Sequence, residues 1–193
     1  DSAARIAWYY WHSMKQPKRR KMISHLRAYH GNTIAAASLS GMHYNHASFG
    51  LPLDGFLHIT PPHYYRFALE NESEEDFTSR LASELETVIN SEGADTIAGF
   101  FAEPVLGAGG VIPPPKGYFQ AIQKVLKKHD IPLISDEVIC GFGRTGGLWG
   151  CQTYDFMPDA IISSKNLTAG YFPMGAVILG PELTAKLQAA SEA

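Results

Sequence analysis

Cysteine is scarce in this chain: there are two in 193 residues, Cys140 and Cys151, and they do not form a CxxC pair. A disulfide scaffold is therefore not expected, and a zinc site would need more ligands at suitable spacing. Reduced thiols in a cytoplasmic protein are the expectation. Long apolar runs are lacking too. No stretch reaches about 18 apolar residues, so no spanning helix and no membrane partner are expected. No signal peptide is visible. Charge of one sign is not in excess, since 16 basic and 19 acidic residues leave a net −3. That argues against a nucleic-acid surface. The one basic cluster, Lys18-Arg19-Arg20-Lys21, reads as a solvated turn before a strand. His43, His46, His58 and His63 show no clean ligand spacing, so no metal is expected. Internal repeats and low-complexity stretches are absent.

What remains is an ordinary globular composition, 45% hydrophobic and 18% charged, in a chain long enough for one domain with a sizeable core. The first residues, Asp1-Ser2-Ala3-Ala4-Arg5, read like the middle of a helix, and there is no initiating Met. Apolar residues recur at spacings of three and four from Ala3 to Met14, which predicts a buried helix containing the aromatic run Trp8-Tyr9-Tyr10-Trp11. Residues 74–92 predict an amphipathic helix with acids crowding its start. Helices are also predicted over 33–40, 118–129 and 181–193. Strands are predicted over 22–28, 56–60, 96–102, 131–135, 160–163 and 175–179. Alternation of strands and helices argues for an α/β fold with a largely parallel sheet, whose strand C-termini share one edge. Ligands in such sheets bind at that edge. Tyr29, Glu103 and Asp136 each follow a predicted strand there.

Asp136 closes the apolar run Ile131–Ser135. Such an aspartate either caps the next element or supplies a fixed anion facing a cationic ring nitrogen, as pyridoxal chemistry needs. Lys165 follows Ala160–Ser164. It is either an exposed junction lysine or an amine that forms an imine with an aldehyde in a dry site. Gly141–Gly147 lacks the Walker pattern and does not open a helix as a dinucleotide fingerprint does, so it reads as a tight turn. Tyr29 suits stacking on a flat heterocycle. His30 reads as ordinary packing or as a group that orients a neighbour. Glu103 accepts a hydrogen bond near the site or ends its strand.

Four segments, in order, carry a resemblance. They are Tyr29-His30-Gly31-Asn32-Thr33, Glu103-Pro104-Val105 with the loop through Gly110, Asp136-Glu137-Val138 through Gly146, and Ser164-Lys165-Asn166-Leu167-Thr168 through Val177. Together they resemble the class III aminotransferases of the fold-type-I pyridoxal-phosphate family, and Ser164–Val177 looks most like the amine:pyruvate (omega-transaminase) branch. The resemblance implies a three-layer α/β/α domain with a mostly parallel sheet, spanning 1–193 as one partial large domain. The flanking N-terminal segment and small C-terminal domain are expected to lie outside it. It implies pyridoxal 5'-phosphate as cofactor. Lys165 would hold it through a Schiff base and then act as acid and base. Asp136 would pair with the pyridine nitrogen, Val138 and Tyr29 would cover the two ring faces, and Glu103 and His30 would support from nearby. An amino group would pass from an amine or amino acid to a keto acid such as pyruvate, in a homodimer or higher homo-oligomer. An aminomutase or decarboxylase of the same class, or a non-catalytic cofactor-domain fragment, is the alternative.

Overall fold

The computed structural model describes residues 1–191, so the last two residues of the helix predicted over 181–193 lie outside the described part. Six strands form one sheet: β1 (Lys21–His25), β2 (Phe56–Ile59), β3 (Ile97–Ala102), β4 (Leu133–Asp136), β5 (Ala160–Ser163) and β6 (Ala176–Leu179). Their spatial order is β2-β1-β3-β4-β5-β6. All neighbours are parallel except β5 and β6. The predicted mostly parallel α/β architecture is what forms.

The pleat explains why both faces are covered. Successive side chains point to opposite faces. Ile23, Phe100 and Leu133 thus enter one apolar core with Phe77, Leu81, Leu85, Phe119 and Ile122. Those residues come from α4 (Glu74–Glu92) and α5 (Tyr118–Lys128). Their neighbours Met22, Phe101 and Ile134 enter a second core with Ala3, Ala7 and Trp11 of α1 (Ser2–Ser13) and Leu39 of α2 (Ile34–Leu39). Three layers result. The α4 helix starts where Ser73 Oγ accepts the Asp76 N–H at 3.1 Å, and Glu74, Glu75 and Asp76 face its positive end. Two short helices escaped prediction, α3 (Tyr64–Phe67) and α6 (Gly150–Thr153). The chain closes with α7 (Pro181–Ser191).

Two expectations need correcting. The strand predicted over 22–28 ends at His25. Arg27 takes φ 68°, and its N–H donates to Gly41 O while the Gly41 N–H donates to Ala28 O, so the chain turns off the sheet. Arg19 is also not a solvated turn residue. It is buried, with its guanidinium 4.0 Å above the Trp11 ring and Nη1 donating to Asp130 O at 3.1 Å. In the aromatic run of α1, Tyr10 and Trp11 are core, whereas Tyr9 is exposed.

Candidate cofactor site

The strand order sets the place. Because β2 lies on one side of β1 and β3 on the other, the segments leaving β1 and β3 diverge at their C-terminal ends. A crevice at such a reversal is where open α/β sheets seat ligands. Tyr29 and His30 come after β1, Glu103 after β3, Asp136 ends β4, and Lys165 follows β5.

Asp136 is held on both oxygens. His30 Nδ1 lies 2.8 Å from Oδ2, and the Val138 N–H donates to Oδ1 at 3.1 Å. The two side chains are only 2% and 6% exposed. A carboxylate has no hydrogen to give, so Nδ1 carries the proton of that bond. His30 is itself fixed: its backbone N–H donates to Ser40 Oγ at 2.8 Å, and that hydroxyl donates to Ala36 O at 2.9 Å. His30 is thus hydrogen-bonded to a neighbour as well as packed.

Glu103 is buried and spends both oxygens on backbone. It accepts the Tyr29 N–H at 3.0 Å and the Gly107 N–H at 2.9 Å. Burial pushes its carboxyl up from the usual range. It therefore staples the segment after β1 to the loop after β3 and braces Tyr29. The Tyr29 hydroxyl donates to Asn32 Oδ1 at 3.0 Å, and the residue is half-buried.

A cavity of about 610 Å³ opens here, walled by His30, Phe101, Val138, Ser163, Ser164 and the first residues of α1. Two buried polar atoms at this wall, His30 Nε2 and Ser163 Oγ, have no partner among the described residues. Asp136, Glu103, Tyr29 and Lys165 are not in the wall; Asp136 stands behind it, bonded to His30 and Val138, which are. Parallel pairing sets Asp136 opposite Ile162, so Lys165 emerges three residues beyond that pair, on the same edge. Lys165 opens a 3-10 turn over Lys165–Leu167 with φ 21° and is exposed. The dry surroundings expected for its amine are not supplied by the described residues. What they supply is a lysine in the left-handed region, which is uncommon for a residue with a side chain.

These groups fit pyridoxal phosphate. A buried, oriented carboxylate suits a ring N–H, the half-buried Val138 suits a flat apolar face, and an amine stands on the neighbouring strand end.

Two residues escaped the sequence reading. Glu137, 1% exposed, accepts the Gly150 N–H at 2.7 Å and the Cys151 N–H at 2.8 Å, pinning the glycine-rich loop to α6. Arg144 donates to Ile139 O at 3.0 Å and to Asn166 Oδ1 at 2.7 Å. The loop is thus a tight turn, as expected, and also a tie between the ends of β4 and β5. Charge type is the only sequence signal these residues carry, and the partners that matter, Gly150, Cys151 and Asn166, lie 13 to 22 positions away. Cys140 and Cys151 are free and buried, and burial pushes both thiols up to about 12.

Fold and site together define a largely parallel α/β domain whose strand-end edge carries a buried, doubly hydrogen-bonded carboxylate and, one strand over, a lysine. The model of the family "Aminotransferase class-III" matches residues 1–193, and the chain belongs to that family. Among curated relatives, the probable gamma-aminobutyrate transaminase 3, mitochondrial, of Oryza sativa subsp. indica is 51% identical over 184 residues, covering 95% of this chain and 36% of its own length. Among solved structures, the omega-transferase of Vibrio fluvialis JS17 is 64% identical with a TM-score of 0.97, over 100% of this chain and 45% of that one. A PLP-bound aminotransferase mutant from Vibrio fluvialis is 63% identical with a TM-score of 0.96, over 100% of this chain and 42% of that one. The chain thus spans less than half the length of these proteins.

Proposed function

We propose that the whole protein containing this chain is a pyridoxal-phosphate-dependent transaminase that moves an amino group from an amine or amino acid to a keto acid such as pyruvate. The observation that carries this reading is the buried His30–Asp136 pair at the sheet's reversal point, with Lys165 at the end of the adjacent parallel strand. When bound, the cofactor supplies an aldehyde that takes up the amino group and a ring that accepts electrons. The rest falls to this chain. Asp136, kept in place by His30, stabilises a proton on the ring nitrogen. Val138 and Tyr29 would cover the ring's two faces, with the Tyr29 backbone braced by Glu103. Lys165 would hold the cofactor covalently and would carry the proton between substrate and cofactor carbons.

Assembly as a homodimer or higher homo-oligomer belongs to the same proposal. So does a cytoplasmic location, although the rice relative's name places that protein in mitochondria. The test is made on the full-length protein mixed with pyridoxal phosphate, reduced with borohydride and mapped by peptide mass. The expected result is a visible absorption band and a reduced adduct on Lys165, both lost in Lys165→Ala. An adduct that persists in that variant removes Lys165 from the role.

A further inference from the structure

Arg144 and Asn166 have no part in the function described so far, yet one bond between them joins the two segments that carry the site. The guanidinium is a rigid planar fork. One arm reaches back to Ile139 O at 3.0 Å, on the segment that bears Asp136 and Val138. The other donates to Asn166 Oδ1 at 2.7 Å, on the residue directly after Lys165. Lys165 sits at φ 21°, and its turn is closed by the Leu167 N–H donating to Ser164 O at 2.6 Å. A side-chain-bearing residue stays in that region only when its surroundings hold it there. Among the described residues, nothing holds the Lys165 ammonium itself.

We propose that the Arg144–Asn166 bond is a positioning bridge. It fixes the strained backbone of Lys165 relative to Asp136 and Val138, so that the amine is presented to the cofactor at a set distance. The inference rests on Lys165 being the cofactor lysine. Arg144 is exposed, so the bond adds little to global stability. Its effect is local, on where one amine stands. Placement matters because a misplacement of about 1 Å can cost about a hundredfold in rate.

The test measures how fast the full-length apoprotein captures pyridoxal phosphate, by absorbance, and the yield of borohydride-trapped adduct on Lys165. Thermal unfolding is followed alongside. Arg144→Ala and Asn166→Ala are each expected to slow capture by about tenfold or more, with melting unchanged. The double variant is expected to be no slower than either single one, because the two side chains act as one unit. Asn166→Asp keeps an acceptor for the fork and is expected to capture at close to the native rate. The bridge is overturned if the single variants capture at the native rate, if their losses multiply in the double variant, or if Asn166→Asp is as slow as Asn166→Ala. It is also overturned if melting falls in step with capture. Native protein that traps no cofactor on Lys165 sinks the reading of that lysine, and the bridge with it. Normal native trapping with indifferent variants sinks the bridge alone.

Discussion

His25 offers a sharp test of how the site's underside is built. It lies fully buried at the end of β1, with Nε2 2.6 Å from the Tyr118 hydroxyl and its ring edge-on to Phe100 at 5.2 Å. Its Nδ1 is buried with no partner among the described residues, so the imidazole is neutral inside the fold. Burial lowers its pKa from 6.5 to about 3, with repulsion from His30 and His58 adding to the shift. The sign follows from proton counting. Between those two values the unfolded chain binds a proton that the folded chain refuses, so stability rises with pH across the window and is lost as pH falls. Each pH unit is worth about 1.4 kcal/mol, so acidifying from pH 7.5 to pH 5 costs about 2 kcal/mol through His25. His58 is shifted the same way and Glu103 the opposite way, so native protein must be compared with a variant at each pH. His25→Gln keeps a hydrogen-bonding group near Tyr118 and removes the titration. Urea unfolding of the full-length protein should show the variant losing about 2 kcal/mol less than native over that interval. Parallel pH profiles for the two proteins would refute the claim that His25 is buried neutral.

Glu137→Ala leaves the Gly150 and Cys151 N–H groups buried and unpaired; at about 1–3 kcal/mol each, urea unfolding should register about 2–6 kcal/mol, and a loss under 1 would mean that water replaces the carboxylate. Gly41→Ala would set a Cβ 2.1 Å from His25 O and 2.6 Å from Leu26 Cα, so soluble expression should collapse; a folded variant would show that this backbone crossing can open. His30→Phe removes the 2.8 Å bond to Asp136, a charge-assisted contact worth about 1.5–3 kcal/mol, and should weaken retention of pyridoxal phosphate in equilibrium dialysis, whereas unchanged retention would detach His30 from the site.

The strand ends that build the site were legible because each closes an apolar run with a polar residue. Ala102 gives way to Glu103, Ser135 to Asp136, and Ser163 to Ser164-Lys165. The α4 helix was legible from its cap and stripe, both local signals. What escaped has partners far along the chain. Leu26 and Ala28 look like strand continuation, but contacts with Gly41 bend the chain away. Arg19 looks like part of a solvated basic run until Trp11 and the Asp130 carbonyl enclose it. His30 acquires a role only through Asp136, and the function of Arg144 depends on Asn166. The left-handed backbone of Lys165 carries no signal in residue type, since lysine does not favour it.

The reversal of strand order has a consequence for assembly during folding. From β3 to β6 each strand pairs with the next in sequence, whereas β1 must find β3 across the whole of β2 and α4. The bond between His30 and Asp136 closes a separation of 106 residues. Long-range pairings of this kind are the slow ones. An intermediate with β3 to β6 in register but β1 undocked would already carry Asp136 and Lys165, yet the carboxylate would lack its histidine and the edge would lack Tyr29. Such a species presents an amine without a seat for the ring. Under the proposed function, cofactor capture would therefore follow the docking of β1 and would report on the completion of the fold.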